Sequence, residues 1–342
     1  MSPEEQKRYA RQTVLPGIGA AGQEKLAAAH VLIVGCGGLG GPAAVYLAGA
    51  GMGQLTLVDG DEPALSNLHR QVFFRTGASG GKADLLAQHC QQLNPSTRVC
   101  AQKTFLNGGN VKALVEAADL VLDCTDDAAT KHLLSDACFL LRTPLVYAAA
   151  QGFEGYLALF PNQDAEGIHL RDLFPEPDPT LPDCATTGVL PTAVGTVALL
   201  QANAALCYLL GIGSPPMNML LTYNALDNRQ HRLKIRKTYQ GRVAPPWGNK
   251  RPGRAELETT DGDFSTYAGV FSMLEEGREP ELPAGVVRLT KRDPLGQCLA
   301  RMEDGRRYLL YCNSGKLSLV LAAQIRKARP AVEVLSLRGG IS

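Results

Sequence analysis

Residues 31–40, Val-Leu-Ile-Val-Gly-Cys-Gly-Gly-Leu-Gly, run a fully apolar strand into a glycine-rich turn, and a small-residue helix over residues 40–50 follows. Four apolar residues in a row leave neither face of a strand for water, so this strand belongs inside a parallel sheet covered on both sides. The glycines bring backbone amides close to a ligand at a helix N-terminus, a common way to bind nucleotide phosphates. That loop alone fits many NAD enzymes equally well. The polar residues behind it narrow the choice: Asp59, then Asn67, Arg70, Gln71, Lys82 and Asp126. Two cations and a carboxylate downstream of the loop suit a triphosphate with a metal ion better than a dinucleotide.

The same alternation continues along the chain. Strands are expected at Val31–Val34, Leu55–Val58, Val99–Thr104, Leu120–Asp123 and Leu145–Ala148. Helices are expected at residues 40–50, Lys82–Leu93, Val111–Ala118 and Ala129–Leu141. Asn94-Pro95 stops the second of these helices, because the residue before proline avoids helical backbone. Gly155–Phe160 reads as the start of an antiparallel extension. Residues 161–186 are rich in Pro, Asp and Glu and form a long irregular segment of the kind that is usually functional. An apolar helix at about 192–211 and strands near Leu220–Tyr223 and His231–Ile235 close a first domain, taken as 1–236. Residues 237–263, with Pro245-Pro246-Trp247-Gly248 and Arg251-Pro252-Gly253, read as a linker. Residues 264–342 supply a strand at Tyr308–Tyr311, a helix at Lys316–Arg329 and a strand at Val332–Leu335.

Composition excludes several classes. A net charge of +1 in 342 residues is not that of a general nucleic-acid binder. The N-terminus Met1-Ser2-Pro3-Glu4-Glu5-Gln6-Lys7-Arg8 has no signal-peptide core, and Gln201 and Asn203 interrupt the longest apolar stretch, so no membrane span is expected and the chain reads as cytoplasmic. The nine cysteines include no Cys-x-x-Cys pair, which fits reduced thiols rather than a zinc ribbon. Cys184 and Cys312 are the two whose sequence contexts suggest exposure.

Taken in order, Arg8-Tyr9-Ala10-Arg11-Gln12, the glycine loop, Asp59, Leu65-Ser66-Asn67-Leu68-His69-Arg70-Gln71, Gly81-Lys82 and Leu122-Asp123-Cys124-Thr125-Asp126 resemble the MoeB/ThiF family, bacterial relatives of the ubiquitin-activating enzymes. The resemblance covers about residues 5–236. It implies a Rossmann-like, mostly parallel sheet with helices on both faces. It also implies adenylation, by ATP and Mg2+, of the C-terminal Gly-Gly carboxylate of a small ubiquitin-like sulfur-carrier protein. Carried over residue by residue, Arg11, Arg70 and Lys82 are the expected phosphate clamps and Asp126 the magnesium ligand. Asp59 is expected on the ribose, Asn67 and Gln71 on phosphate oxygens, and Gly35, Gly37, Gly38, Gly40 and Asp61 in the nucleotide cradle. Asp127, beside Asp126, reads as a joint metal ligand or as an extra charge opposing anion binding. The residue matching Arg11 serves the neighbouring subunit in the family, which implies a homodimer.

The chain departs from the family pattern in three places. His169-Leu170-Arg171-Asp172 and Gly241-Arg242-Val243-Ala244 stand where two zinc-holding Cys-x-x-Cys pairs are typical, so structural zinc is not expected. Cys184, before the apolar helix, matches a cysteine that in some branches links covalently to the carrier; a helix N-terminus favours its thiolate and Asp183 opposes it. Tyr311-Cys312-Asn313-Ser314-Gly315-Lys316-Leu317-Ser318 and Leu337-Arg338-Gly339-Gly340-Ile341 resemble parts of a rhodanese domain, a small α/β sulfurtransferase unit. Asn313 and Leu317 replace common arginines, so this unit reads as truncated or degenerate. A sulfur donor such as a cysteine desulfurase would accompany it. The alternatives are an activator of a peptide or RNA carboxylate, a non-catalytic nucleotide-binding scaffold, and an NAD dehydrogenase.

Overall fold

A computed structural model describes residues 1–164, 166–177, 188–247, 257–274, 285–290, 293–312, 315–337 and 340. Contacts divide the chain into two units, Met1–Gly248 and Asn249–Ser342.

The first unit is built on an eight-stranded sheet. Its strands are β1 (His30–Val34), β2 (Gln54–Val58), β3 (Arg98–Gln102), β4 (Leu120–Asp123), β5 (Leu145–Gln151), β6 (Glu154–Phe160), β7 (Met219–Asn224) and β8 (Arg229–Lys234). Their order is β3-β2-β1-β4-β5-β6-β7-β8. The first five are parallel and β6, β7 and β8 add antiparallel. The apolar run at β1 makes this arrangement necessary. Val31 and Ile33 join a core with Leu55, Leu57, Leu120 and Leu122 on one face, while Leu32 and Val34 join Val58, Val121, Leu145 and Tyr147 on the other. Helices α3 (Gly40–Gly49) and α7 (Pro191–Leu210) contribute Ala43, Leu47, Val194 and Ala198 to the first face. Helices α5 (Val111–Glu116) and α6 (Ala128–Leu141) contribute Leu114, Val115, Leu134 and Cys138 to the second.

Local signals set the helix ends. Ser2 and Glu5 form a capping box at α1 (Pro3–Thr13). Helix α2 (Gly19–Ala28) follows the Pro16-Gly17 break, and α4 (Lys82–Leu93) stops at Asn94 before Pro95. Helix α7 is long and apolar enough to cross a membrane by composition, yet half of it is buried in this sheet. Its Gln201 is fully buried and donates to the Asp123 and Val146 carbonyls at 2.9 Å each, which ties the helix to β4 and β5.

Strand order reverses between β1 and β4. In register, Val34 lies opposite Val58 and Asp123, so Gly35, Asp59 and Cys124 emerge side by side at the carboxyl ends of three strands. This is the switch point at which open α/β sheets bind ligands.

Residues 237–247, expected to begin a linker, are packed on this first unit. Ile235 and Val243 are buried, and Trp247 lies against the second-face core. The second unit holds a parallel five-stranded sheet, β9 (Glu258–Thr259), β10 (Gly269–Ser272), β11 (Val286–Arg288), β12 (Arg307–Tyr311) and β13 (Glu333–Leu337), in the order β11-β10-β12-β13-β9. Helices α8 (Pro294–Leu299) and α9 (Lys316–Ala328) accompany it, with Phe271, Leu310, Leu321, Ile325 and Val334 in its core.

Candidate active site

The glycine loop is shaped by contacts that a side chain would block. Gly35 has φ +93°, and a Cβ there would lie 2.6 Å from the Cys124 carbonyl oxygen. One on Gly40 would lie 1.8 Å from the Gly35 carbonyl oxygen, so the turn closes only with glycine at that end. Gly37 faces the Gln71 side-chain amide, with 3.0 Å left for a Cβ. Gly38 lies between Val194 and the Arg70 carbonyl. The loop therefore brings together β1, β4, the 65–71 segment and the first turn of α7.

Asp59 fixes the loop from β2. Its carboxylate accepts from the Cys36 N–H at 2.7 Å and the Asp61 N–H at 2.8 Å. Burial raises the Asp59 carboxyl above its usual range, and the nearby Lys82 ammonium pulls it back. Two lone-pair directions remain for ribose hydroxyls. Burial, with Asp59 adding to it, pushes the Cys36 thiol far up, so the loop cysteine is an inert packed residue. Lys82 is buried at the first position of α4, with its ammonium 3.5 Å from Asp61 and its N–H on the Asp61 carbonyl at 2.9 Å. Neither α3 nor α4 has a side-chain cap; the Gly41 and Lys82 N–H groups donate to the Gly37 and Asp61 carbonyls at 2.9 Å each, and the positive ends of both helices favour an anion there.

The 65–71 segment is a 3-10 turn (Leu65–Asn67) whose end is tied by Arg70 and Gln71 N–H bonds to the Asn67 carbonyl. The Asn67 side-chain oxygen accepts from Arg70 Nη2 at 3.0 Å, so Asn67 aims the guanidinium. Gln71 is buried, and its Oε1 has no partner among the described residues. Asp126 is exposed in the turn after β4. Its neighbour Asp127, expected at the metal or against the anion, instead accepts from Thr130 N–H at 2.7 Å as the N-cap of α6.

Arg11 is not brought to this pocket within one chain. Helix α1 is held at the far end of α3, where Gln12 donates to the Ala50 carbonyl and Tyr9 accepts from Asn94. Cys184 lies outside the described residues. Cys312, expected to be exposed, is buried at 3% directly after the interior strand β12; Ser318 Oγ is 3.4 Å from its sulfur. Asp123 and Lys131 were not singled out from sequence, yet they form a buried ion pair at 3.2 Å directly behind the Asp126 turn. The i+8 spacing gives no local signal for such a pair.

The residues in place of the zinc-holding cysteines do not fit that metal. Both Asp172 oxygens are occupied: one accepts from the His169 N–H at 3.0 Å and Nδ1 at 2.9 Å, the other from the Thr238 and Tyr239 N–H groups at 2.8 and 2.9 Å. His169 is stacked on Phe139 at 4.4 Å. Burial pushes the Asp172 carboxyl up, but the Tyr239, His169 and Thr238 hydrogen bonds together hold it below the usual range. Burial likewise lowers His169 despite Asp172. Both groups thus stabilise the fold fully above their unfolded values, about 6.5 and 4, and lose that contribution as pH falls through the folded ones. Asp172→Ala should cost about 3 kcal/mol at pH 7 by urea unfolding, with the gap to wild type narrowing below pH ~4. A constant gap down to pH 3 would contradict this.

Among the described residues no group of three or more His, Cys, Asp or Glu side chains could hold a metal ion. Magnesium needs no such cage: it takes one or two carboxylates and completes its shell with phosphates and water. The glycine cradle, two uncapped helix ends, Lys82, Arg70 and a single exposed carboxylate fit a triphosphate with that ion.

Comparison with known proteins gives a consistent answer. The ThiF family description matches residues 9–242. A sulfur carrier protein adenylyltransferase of Thermus thermophilus is 42% identical over 273 residues, covering 78% of this chain and 98% of that protein. A probable adenylyltransferase/sulfurtransferase MoeZ of Mycobacterium tuberculosis is 32% identical over 380 residues, covering all of this chain and 93% of that protein. The adenylyltransferase and sulfurtransferase uba4 of Emericella nidulans is 42% identical, but this chain spans only about half of it, 51%. Among solved structures, E. coli MccB with AMPCPP and MccA superposes with a TM-score of 0.57 at 19% identity, covering 69% of this chain and 74% of that one, which shows a shared fold.

Proposed function

This chain belongs to the ThiF family, and on that premise we propose that it adenylates the C-terminal Gly-Gly carboxylate of a ubiquitin-like sulfur-carrier protein, with ATP as co-substrate and pyrophosphate as the leaving group. The observation that carries this reading is Lys82, buried at the start of α4 and near enough to Asp59 and to Cys36 of the glycine loop to act on both, beside a loop closed by Gly35 and Gly40 at the sheet's switch point.

The chemistry needs no general base. A terminal carboxylate has a pKa near 3.5 and is already the nucleophile at neutral pH. The obstacle is bringing that anion to a polyanion, so catalysis is positioning and charge stabilisation. The α3 amides and Arg70, aimed by Asn67, hold phosphate oxygens. Lys82 and the α4 N-terminus stabilise the charge that builds on pyrophosphate. Asp59 orients the ribose, and Asp126 would hold magnesium, which when bound offsets phosphate charge. Arg11, remote from its own pocket, serves a neighbouring subunit's in a homodimer working in the cytoplasm. Incubation with ATP, Mg2+ and a carrier ending in Gly-Gly should yield a carrier heavier by AMP. Modification of a free short peptide but of no carrier would favour the peptide-activating alternative.

The full-length likeness to an adenylyltransferase/sulfurtransferase supports a second step. Cys312, directly after β12, would take sulfane sulfur from a donor such as a cysteine desulfurase as a persulfide; its terminal sulfur would displace AMP from the acyl-adenylate, and a thiol reductant would then cleave the acyl disulfide, forming a disulfide with Cys312 and releasing the thiocarboxylate. Cys312→Ser should then lower carrier thiocarboxylate yield at least tenfold. An unchanged yield would remove Cys312 from the mechanism.

A further inference from the structure

We propose that Asp123 and Lys131 are positioning residues for adenylation, a buried ion pair that sets the turn carrying Asp126 and locks it to the end of β5. The proposal rests on the adenylation reading above and adds to it two residues that do not themselves touch the nucleotide.

Asp123 is fully buried and lies in register between Val34, the last residue before Gly35, and Tyr147 of β5. One carboxylate oxygen accepts three bonds: from the Thr125 N–H at 3.0 Å, the Thr125 hydroxyl at 2.7 Å and the Lys131 ammonium at 3.2 Å. The other oxygen is buried with no partner among the described residues. A carboxylate with one oxygen unpartnered in the sheet interior is costly, and an apolar residue would pack there without that cost. Packing alone does not account for it.

The geometry supplies a reason. Lys131 sits one turn into α6 and also donates to the Ala148 carbonyl at 2.8 Å, with its ammonium 4.8 Å from the centre of the Tyr147 ring. One cation thereby joins the ends of β4 and β5 and the start of α6. The turn between them, Cys124–Asp127, is pinned on both sides of Asp126. Thr125 is held by Asp123, and Asp127 is held by its cap on Thr130. Cys124 is anchored through its thiol to Gln201 at 3.2 Å, and its carbonyl abuts Gly35. The carboxylate that meets the metal and the loop that meets the phosphates are thus set against each other by the same buried pair. Partners behind a metal ligand typically affect metal affinity or activity by 10- to 100-fold.

The test compares Lys131→Met, Lys131→Arg, Asp123→Asn and the Asp123→Asn/Lys131→Met double variant in the full chain. Nucleotide affinity is titrated against Mg2+ by calorimetry without carrier, and kcat and KM come from carrier-dependent pyrophosphate exchange. Lys131→Met should raise the Mg2+ concentration needed for half-maximal ATP binding about tenfold and lower kcat about 30-fold, with KM for carrier within twofold. Lys131→Arg should recover most of both. If the unpaired carboxylate unfolds Lys131→Met, the double variant, free of that charge, folds and shows the same Mg2+ shift because the Lys131 bridge from β4 to the Ala148 carbonyl is gone. Folded variants with wild-type Mg2+ dependence and kcat would overturn the proposal. A wild-type protein that binds Mg-ATP yet exchanges pyrophosphate with no carrier would instead overturn the adenylation reading and leave the Mg2+ titration to decide this one.

Discussion

Lys82→Met should lower kcat/KM for adenylation about 10³-fold, the loss typical of removing one preorganised charge from a water-poor site. The size of the effect follows from where the charge sits. Lys82 is buried, its ammonium lies 3.5 Å from the Asp61 carboxylate, and the Asp61 N–H is bonded to Asp59. Removing it withdraws the positive group meant for the leaving pyrophosphate. It also exposes incoming phosphates to two carboxylates with less compensation, so KM for ATP should rise while kcat falls. The buried aliphatic stem is kept by methionine, which separates loss of charge from loss of packing. Initial-rate kinetics over ATP concentration decide the matter: a change confined to KM would mean that Lys82 serves ground-state binding alone.

Gly40→Ala should abolish measurable ATP binding, weakening it at least 100-fold, and destabilise the first unit by about 1–3 kcal/mol. The added Cβ would sit 1.8 Å from the Gly35 carbonyl oxygen, a backbone atom that cannot swing aside as a side chain could. Relief requires opening the turn, which removes the amides from the positions a phosphate needs. Gly195→Ala is the control. A Cβ there meets nothing within 4 Å, and alanine inside α7 should raise stability by about 0.5–1 kcal/mol. Calorimetric ATP titration and urea unfolding read both variants. Undiminished ATP affinity in Gly40→Ala would show that the loop is not the phosphate cradle.

The first unit was largely legible because its signals are local. The run Val31–Val34 has one solution, a central parallel strand, and α4 ends where Pro95 requires. The second unit was not: β9, β10 and β11 are two to four residues long, too short to show a period, and β9 pairs with β13 residues 78 positions away. In the pocket, residue types and order pointed to the glycines, Asp59, Lys82 and Asp126. Their supports did not show. Asn67 aiming Arg70, Asp127 capping α6 and Asp123 paired with Lys131 depend on side-chain geometry that spacing alone does not specify. Asp172 illustrates the same limit. Read as a remnant of a metal site, it is a carboxylate saturated by hydrogen bonds from residues 66 and 67 positions later, which ties the crossover to the chain after β8. Cys312 reads as exposed, but it directly follows an interior strand and is buried there.

Isotope exchange between labelled pyrophosphate and ATP tests the central claim most directly, because it reports reversible formation of an acyl-adenylate and nothing later. With Mg2+ and a purified ubiquitin-like carrier ending in Gly-Gly, label should enter ATP, and it should stop when the carrier lacks its last glycine. Exchange of equal rate with and without the carrier, or none with any carrier tried while ATP binds normally, would contradict the account.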